Sequence, residues 1–317
     1  MLAHRVAAVF PGQGSQIGAM AAALTQDSVH AHYLHTADEI LDMPLSRLCL
    51  DGTPSELRDT AIAQPAILLT SLIALAQLRE RGLEPAIVAG HSLGEYTALV
   101  AAGVLEWTAA LRLVRRRGQL MARVGDTVAG GMAAILGIDG ARVQELCINS
   151  ASTTGHTIEI ANYNSEQQTV VSGTEAGLAA ATAAARELGA DVVPLKVSAP
   201  FHCSLMRDIE QEFAAVLDDV VFGTPKVPVL SSVTARPLLD AEAAARALRG
   251  QLCSPVRWLE TIHELMLQEV SAFVEVGPGR VLTNLGRTIA PDIPSMAAPT
   301  AGQLHDAVAR LTAQSPR

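Results

Sequence analysis

Aromatic residues make up only 3% of this 317-residue chain, and basic residues are outnumbered by acidic ones, 23 to 32. With a formal charge of −9 and few rings to stack on bases, the chain is not expected to have nucleic acid as its main partner. Cysteine is scarce too: Cys49, Cys147, Cys203 and Cys253 are widely spaced and form no C-x-x-C pair. That pattern predicts reduced thiols in a cytoplasmic protein. Long apolar runs are also missing. Hydrophobic residues are 49% of the chain, yet no uninterrupted run approaches the roughly 18 residues needed to span a bilayer, so a soluble protein without membrane association is expected. The apolar stretch Val6 to Phe10 stops at Pro11-Gly12, too short for the core of a signal peptide, and export is not expected.

The length fits one large domain, or one domain carrying a smaller insertion. In the first half, strand-like and helix-like patterns alternate: Val6 to Phe10 and Pro85 to Ala89 read as buried strands, Ala66 to Leu78 and Thr108 to Val124 as helices. This alternation predicts an α/β core with a mainly parallel sheet. From Gly130 the order becomes strand, helix, strand, strand, helix, strand, ending at Val197, which is the order of a ferredoxin-like module. The expected organisation is therefore an α/β-hydrolase-like core from residues 1–126 and 198–317, with a ferredoxin-like subdomain inserted at 127–197. The last dozen residues are polar and uncapped, which predicts a frayed end.

Gly90-His91-Ser92-Leu93-Gly94 carries the strongest chemical signal. A serine between two glycines, after a buried strand and before a helix, fits a sharp elbow that exposes its hydroxyl and aims the first helical N–H groups at a developing oxyanion. A serine nucleophile needs a base. His202 follows Pro200-Phe201 at the entry to a helix whose positions Leu205, Ile209, Phe213 and Val216 are apolar, so it is expected near the buried face; a core histidine bonded to backbone is the other reading. His91 is expected to point away from the elbow mouth. His30, His32 and His35 lack ligand spacing and acidic neighbours, which predicts solvated surface and no metal site. Cys203 beside His202 reads as packing.

Arg117 falls on the apolar stripe of its helix with Ala110, Leu113, Val114, Leu120, Met121 and Val124, whereas Arg112, Arg116 and Arg123 project to the other side and Arg115 flanks. A guanidinium turned inward must find acceptors, either in an internal ion pair or in a bidentate site for an acidic substrate. The loop Gly12-Gln13-Gly14-Ser15-Gln16-Ile17-Gly18 fails the G-x-G-x-x-G spacing, but Gln13 or Gln16 is placed to lend an amide to a neighbouring site.

Taken together these segments resemble the malonyl-CoA:acyl carrier protein transacylases and the acyltransferase domains of polyketide synthases. The resemblance rests on Phe10 to Gln16, Gln64-Pro65-Ala66, Gly90 to Tyr96, Arg117-Gly118-Gln119, Ser198 to His202, Ser254 to Trp258 and Glu275 to Gly279. It implies a ping-pong transfer of malonate from malonyl-CoA, a substrate, through Ser92 to an acyl carrier protein, with no cofactor. It implies His202 as base, oriented by the backbone carbonyl of Gln251 more than by a carboxylate. The backbone N–H groups of Gln13 and Leu93 map to the oxyanion hole, Arg117 to the malonate-binding arginine, and Phe201 to a ring that leaves little room for an α-methyl group. A monomer is expected.

Two stretches depart from the family pattern, Glu166 where relatives often have proline and Ser231-Ser232-Val233 in place of an asparagine-containing segment; both are expected near substrate. Other readings stay open: a serine hydrolase that edits acyl thioesters, an acyltransferase with another acyl group in a polyketide pathway, and a non-catalytic carrier-binding subunit. An acidic carrier would need a local basic patch, for which Lys196, Arg207 and the arginines at 112, 115, 116 and 123 are the candidates.

Overall fold

The computed structural model describes residues 5–25 and 30–313. In chain order, β1 (Val6–Phe10) leads to α1 (Ala31–Leu41), α2 (Leu45–Asp51) and α3 (Thr60–Glu80), then β2 (Ile87–Gly90), α4 (Gly94–Ala101) and α5 (Trp107–Thr127). Next come β3 (Gly130–Leu136), α6 (Gly140–Thr154), β4 (Ile158–Ser165), β5 (Gln168–Thr174), α7 (Glu175–Glu187) and β6 (Asp191–Pro194). The chain continues through α8 (Arg207–Asp218), β7 (Val229–Leu230), α9 (Ala241–Gly250), α10 (Trp258–Leu267), β8 (Ala272–Glu275), α11 (Val281–Ile289), β9 (Ser295–Ala297) and α12 (Ala301–Ala313).

The strands form two sheets. The first has the order β7-β2-β1-β8-β9 with every pairing parallel. Strands covered by helices on both faces must be apolar throughout, and Val6-Ala7-Ala8-Val9-Phe10 is buried at every position. Because Phe10 pairs with Gly90, the chain leaves β1 and β2 side by side at the carboxyl edge of the sheet, where open α/β sheets bind their ligands. The second sheet is antiparallel with the order β4-β5-β3-β6, built in the ferredoxin-like element order with α6 and α7. It has its own apolar core, in which Ile135 and Val171 meet Val143, Ala181 and Ala185.

Two sequence expectations change. The helix read as starting at Ala66 begins at Thr60, where the Asp59 carboxylate accepts from the Ala61 N–H. Pro65 hid this start, since proline removes an internal donor and leaves the Ala61 carbonyl without its usual partner. The Arg115 guanidinium donates to that carbonyl instead. This helix is also long and apolar enough to cross a membrane by length and composition, but it is buried inside the protein along most of its length, as suits a core helix. At the other end, the expected fraying is replaced by α12, whose Leu304, Ala307, Val308 and Leu311 pack into the main core. Residues 314–317 lie outside the described residues.

Candidate active site

Ser92 stands at the exit of β2 with a positive φ of 51°, and the next residues turn at once into α4 through Gly94 N–H to His91 O and Glu95 N–H to Ser92 O. So tight an elbow tolerates no side chain at Gly94, where a Cβ would collide with the Phe10 carbonyl oxygen. His202, in the turn after Ala199-Pro200-Phe201, also has a positive φ, 59°. Both backbones are held in a conformation that costs an ordinary residue about 1 kcal/mol or more, and strain of this kind persists only where the surroundings over-determine it. The two side chains meet: Ser92 Oγ lies 2.7 Å from His202 Nε2.

The other ring nitrogen, Nδ1, is 3.1 Å from the carbonyl oxygens of both Gln251 and Ser254. Two carbonyls accept only from an N–H, which puts the proton on Nδ1 and leaves Nε2 free to accept from Ser92. Burial, followed by the charge of Arg117, drives the His202 pKa from its ordinary 6.5 down to about 3. The ring is therefore neutral at physiological pH. Ser254 stood inside a quoted motif, but sequence reasoning gave it no part in holding the histidine.

Arg117 comes from α5 and is 1% exposed. Its Nη1 donates to Gln64 Oε1 at 2.8 Å; its Nη2 donates to Ser92 Oγ and to Gln251 Oε1, each at 3.0 Å. The guanidinium carbon sits 5.6 Å from the centre of the Tyr96 ring. Among the described residues, none of its hydrogen bonds goes to a carboxylate, and its Nε has no partner. The internal ion pair considered from the sequence is absent from this set. Gln64 precedes Pro65 in a quoted segment, yet nothing in spacing alone pointed it at Arg117.

Ser92, Arg117, Phe201, His202, Gln13 and Met121 are among the residues lining a small cavity of about 80 Å³. It adjoins a groove of about 770 Å³ between the 12–18 loop and the second sheet, with Gln13, His91, Asn162, Leu195 and Val197 lining both spaces. Arg58 and Lys196 stand along that groove. Among the described residues, neither the Gln13 nor the Leu93 backbone N–H donates a hydrogen bond. The Gln13 side chain donates to Thr60 Oγ1 at 3.0 Å, whereas Gln16 folds back to accept from the Gly14 N–H at 2.7 Å.

The remaining sequence readings separate. His91 bonds Asn164 Oδ1 through Nε2 at 2.9 Å and packs 5.6 Å from the Trp258 ring. His30 is buried against Glu80 at 3.1 Å, contrary to the solvated position expected for it, because Glu80 satisfies its ring nitrogen. Among the described residues no cluster of metal-ligating side chains occurs. Cys203 is buried and donates to Pro200 O at 3.2 Å; burial raises its pKa, which keeps it a thiol. The basic patch is smaller than its residue types suggested, since Arg116 and Arg123 both pair with Glu212 and Arg115 turns inward to Ala61. Glu166 is exposed, 3.6 Å from His263. Ser232 does not line the cavity but sits behind it, donating to the buried Glu95.

A family model described as acyl transferase domain matches residues 8–308. The malonyl CoA-acyl carrier protein transacylase of Bacillus subtilis (strain 168) is 40% identical over 287 residues, 90% of this chain and 90% of that protein. Among solved structures, FabD from Acinetobacter baumannii superposes with a TM-score of 0.93 at 36% identity, covering 99% of this chain and 100% of that one. PlMCAT:AntF, described as a type II PKS acyl-carrier protein in complex with its malonyl-transacylase, gives a TM-score of 0.92 at 38% identity over 96% of this chain and 99% of that one.

Proposed function

This chain belongs to the acyl transferase domain family, and from that premise we propose that it carries malonate from malonyl-CoA to the phosphopantetheine thiol of an acyl carrier protein through an ester on Ser92. The observation that carries this reading is the meeting at Ser92 Oγ of a neutral imidazole acceptor at 2.7 Å and a buried guanidinium donor at 3.0 Å. The first prepares a nucleophile, and the second selects an acyl group that bears a carboxylate.

In this reading, Ser92 Oγ attacks the thioester carbonyl carbon as its proton passes to His202 Nε2. The carbonyl oxygen becomes an oxyanion and takes the free N–H groups of Gln13 and Leu93. The C–S bond then breaks, and the departing CoA sulfur receives the proton from His202. In the second half the carrier thiol gives its proton to His202 and attacks the Ser92 ester. Ser92 leaves as the alkoxide and recovers the proton. Throughout, the carbonyls of Gln251 and Ser254 hold the ring through Nδ1–H and stabilise the transient imidazolium. Arg117 shifts from Ser92 Oγ to the malonyl carboxylate, while the Phe201 ring walls the cavity on the side of the α-carbon. Arg58 and Lys196 along the groove lie where the phosphates of CoA or of the carrier arm would pass.

Intact-mass measurement after mixing with malonyl-CoA alone tests the reading. The expected result is a persistent malonyl adduct that Ser92→Ala abolishes. An adduct retained in that variant overturns the assignment of Ser92. Free malonate accumulating without carrier at the turnover rate makes the protein a hydrolase.

A further inference from the structure

Behind Arg117 lies a carboxyl group that no step above uses. Glu95 sits one turn after Ser92 on α4 and is wholly buried. Its Oε2 accepts from Gln251 Nε2 at 2.7 Å, from Ser232 Oγ at 2.5 Å and from the Ser232 N–H at 3.2 Å, while Oε1 has no partner among the described residues. Gln251 Nε2 also donates to Ser92 O at 3.2 Å, and the opposite end of the same amide, Oε1, accepts from Arg117 Nη2.

We propose that Glu95 is a positioning residue for Arg117, acting through Gln251, and that it sets the preference for acyl groups bearing a carboxylate. The proposal rests on the malonyl-transfer reading. A glutamine amide has two ends of almost equal shape and opposite polarity, so its orientation is decided by what surrounds it. Here the Glu95 carboxyl oxygen and the Ser92 carbonyl both demand an N–H. The amide has to present its NH₂ to them and its oxygen to the guanidinium; turned over, it would set oxygen against oxygen on one side and N–H against N–H on the other. Burial raises the Glu95 pKa, while the hydrogen bonds from Ser232 and Gln251 act the other way and favour the carboxylate.

The relay also accounts for a charge held without an ion pair. A carboxylate in direct contact with Arg117 would occupy the donors that an incoming substrate carboxylate needs. An intervening amide accepts a single hydrogen bond and carries no net charge, while Glu95 behind it still acts electrostatically in favour of the guanidinium. Arg117 is oriented and remains available. Ser232, on a segment where the sequence departs from the family pattern, completes the arrangement by fixing the carboxyl that fixes the amide.

The test compares malonyl and acetyl loading from the two CoA esters in wild type, Glu95→Gln and Gln251→Glu, with a thermal melt of each. Glu95→Gln is expected to lower malonyl loading about tenfold, mainly through a raised KM for malonyl-CoA, and to leave acetyl loading within about twofold. Gln251→Glu, which sets a carboxylate directly against Arg117 and keeps the backbone carbonyl that holds His202, is expected to depress the malonyl-to-acetyl ratio further. Equal loss of both donors in Glu95→Gln overturns the proposal, because the residue would then serve the elbow. If Glu95→Gln does not fold, Gln251→Glu decides, and an unchanged preference there overturns it. A wild type that takes up no malonyl group overturns the parent reading and this one with it; a wild type that loads malonate while both variants keep its preference overturns this one alone.

Discussion

The two faces of α5 handle positive charge in opposite ways. On the outer face, Arg116 and Arg123 share Glu212 of α8, and all three side chains are more than a third exposed. On the inner face, Arg117 is buried with two glutamines, a serine and an aromatic ring for company. Water and salt weaken the outer pairs, and such pairs add little to stability. Burying the inner charge costs several kcal/mol, yet the cluster around it spends no carboxylate on direct neutralisation. A guanidinium buried for stability alone would be expected to take a carboxylate partner. One kept among neutral acceptors can exchange them for a substrate carboxylate, which is the role proposed for Arg117.

Substitutions on the inner side are expected to dominate, beginning with the base. His202→Ala should slow acylation by roughly two to four orders of magnitude, measured by rapid-quench intact mass; a near-normal rate would make this residue a packing element. The same variant reports on pH. Because the folded pKa lies at about 3 and the ordinary value is 6.5, the unfolded chain binds one more proton between those values. The stability tied to His202 is therefore complete above pH 6.5 and is lost as the pH falls towards 3. The alanine variant is expected to show a shallower fall in Tm across that window.

Next in size is Arg117→Ala, which is expected to cut malonyl loading by about two orders of magnitude while acetyl-CoA becomes a comparable or better donor and the melt changes little. Lysine is expected to restore little, since a point charge lacks the planar fork. A sharp drop in Tm with equal loss of both donors would erase the contrast between the faces. The smallest effect is expected on the outer face. Glu212→Gln should leave malonyl loading unchanged and shift Tm by no more than about 2 °C; a large loss of either would show that the outer pairs do more than exposed pairs usually do.

Much of the site was legible in the sequence, and the reasons are local. The glycines around Ser92 mark an elbow because backbone crowding there admits nothing larger, and Arg117 was conspicuous because a charge on an apolar stripe contradicts helical periodicity. The strand limits of β1 and β3 followed from unbroken apolar runs. The rest was hidden because it depends on contacts between distant segments. Ser254, Gln64 and Glu95 matter through partners 52, 53 and 156 residues away in the chain, and periodicity says nothing about such pairs. The outer arginines misled for the same reason: exposure was readable from the helix, but neutralisation by a glutamate of α8 was not.

Pro65 has a bearing on the seating of Arg117 that its place in a core helix does not advertise. By withholding its N–H it exposes the Ala61 carbonyl to the Arg115 guanidinium, and two further points fasten the same joint. Gln64 takes the Nη1 of Arg117, and Gly118 lies so close to the first turn of α3 that a Cβ would stand 2.7 Å from the Thr60 oxygen. Residues 115, 117 and 118 are thus keyed to residues 60–64 like teeth in a lock, and α5 can neither slide nor rotate against α3 without dragging the guanidinium away from Ser92. With Arg117 in the selecting role proposed above, acyl preference would depend on the seating of two helices as well as on the chemistry of a pocket, and drift at that joint is expected to alter which acyl group is accepted before it alters how the serine reacts.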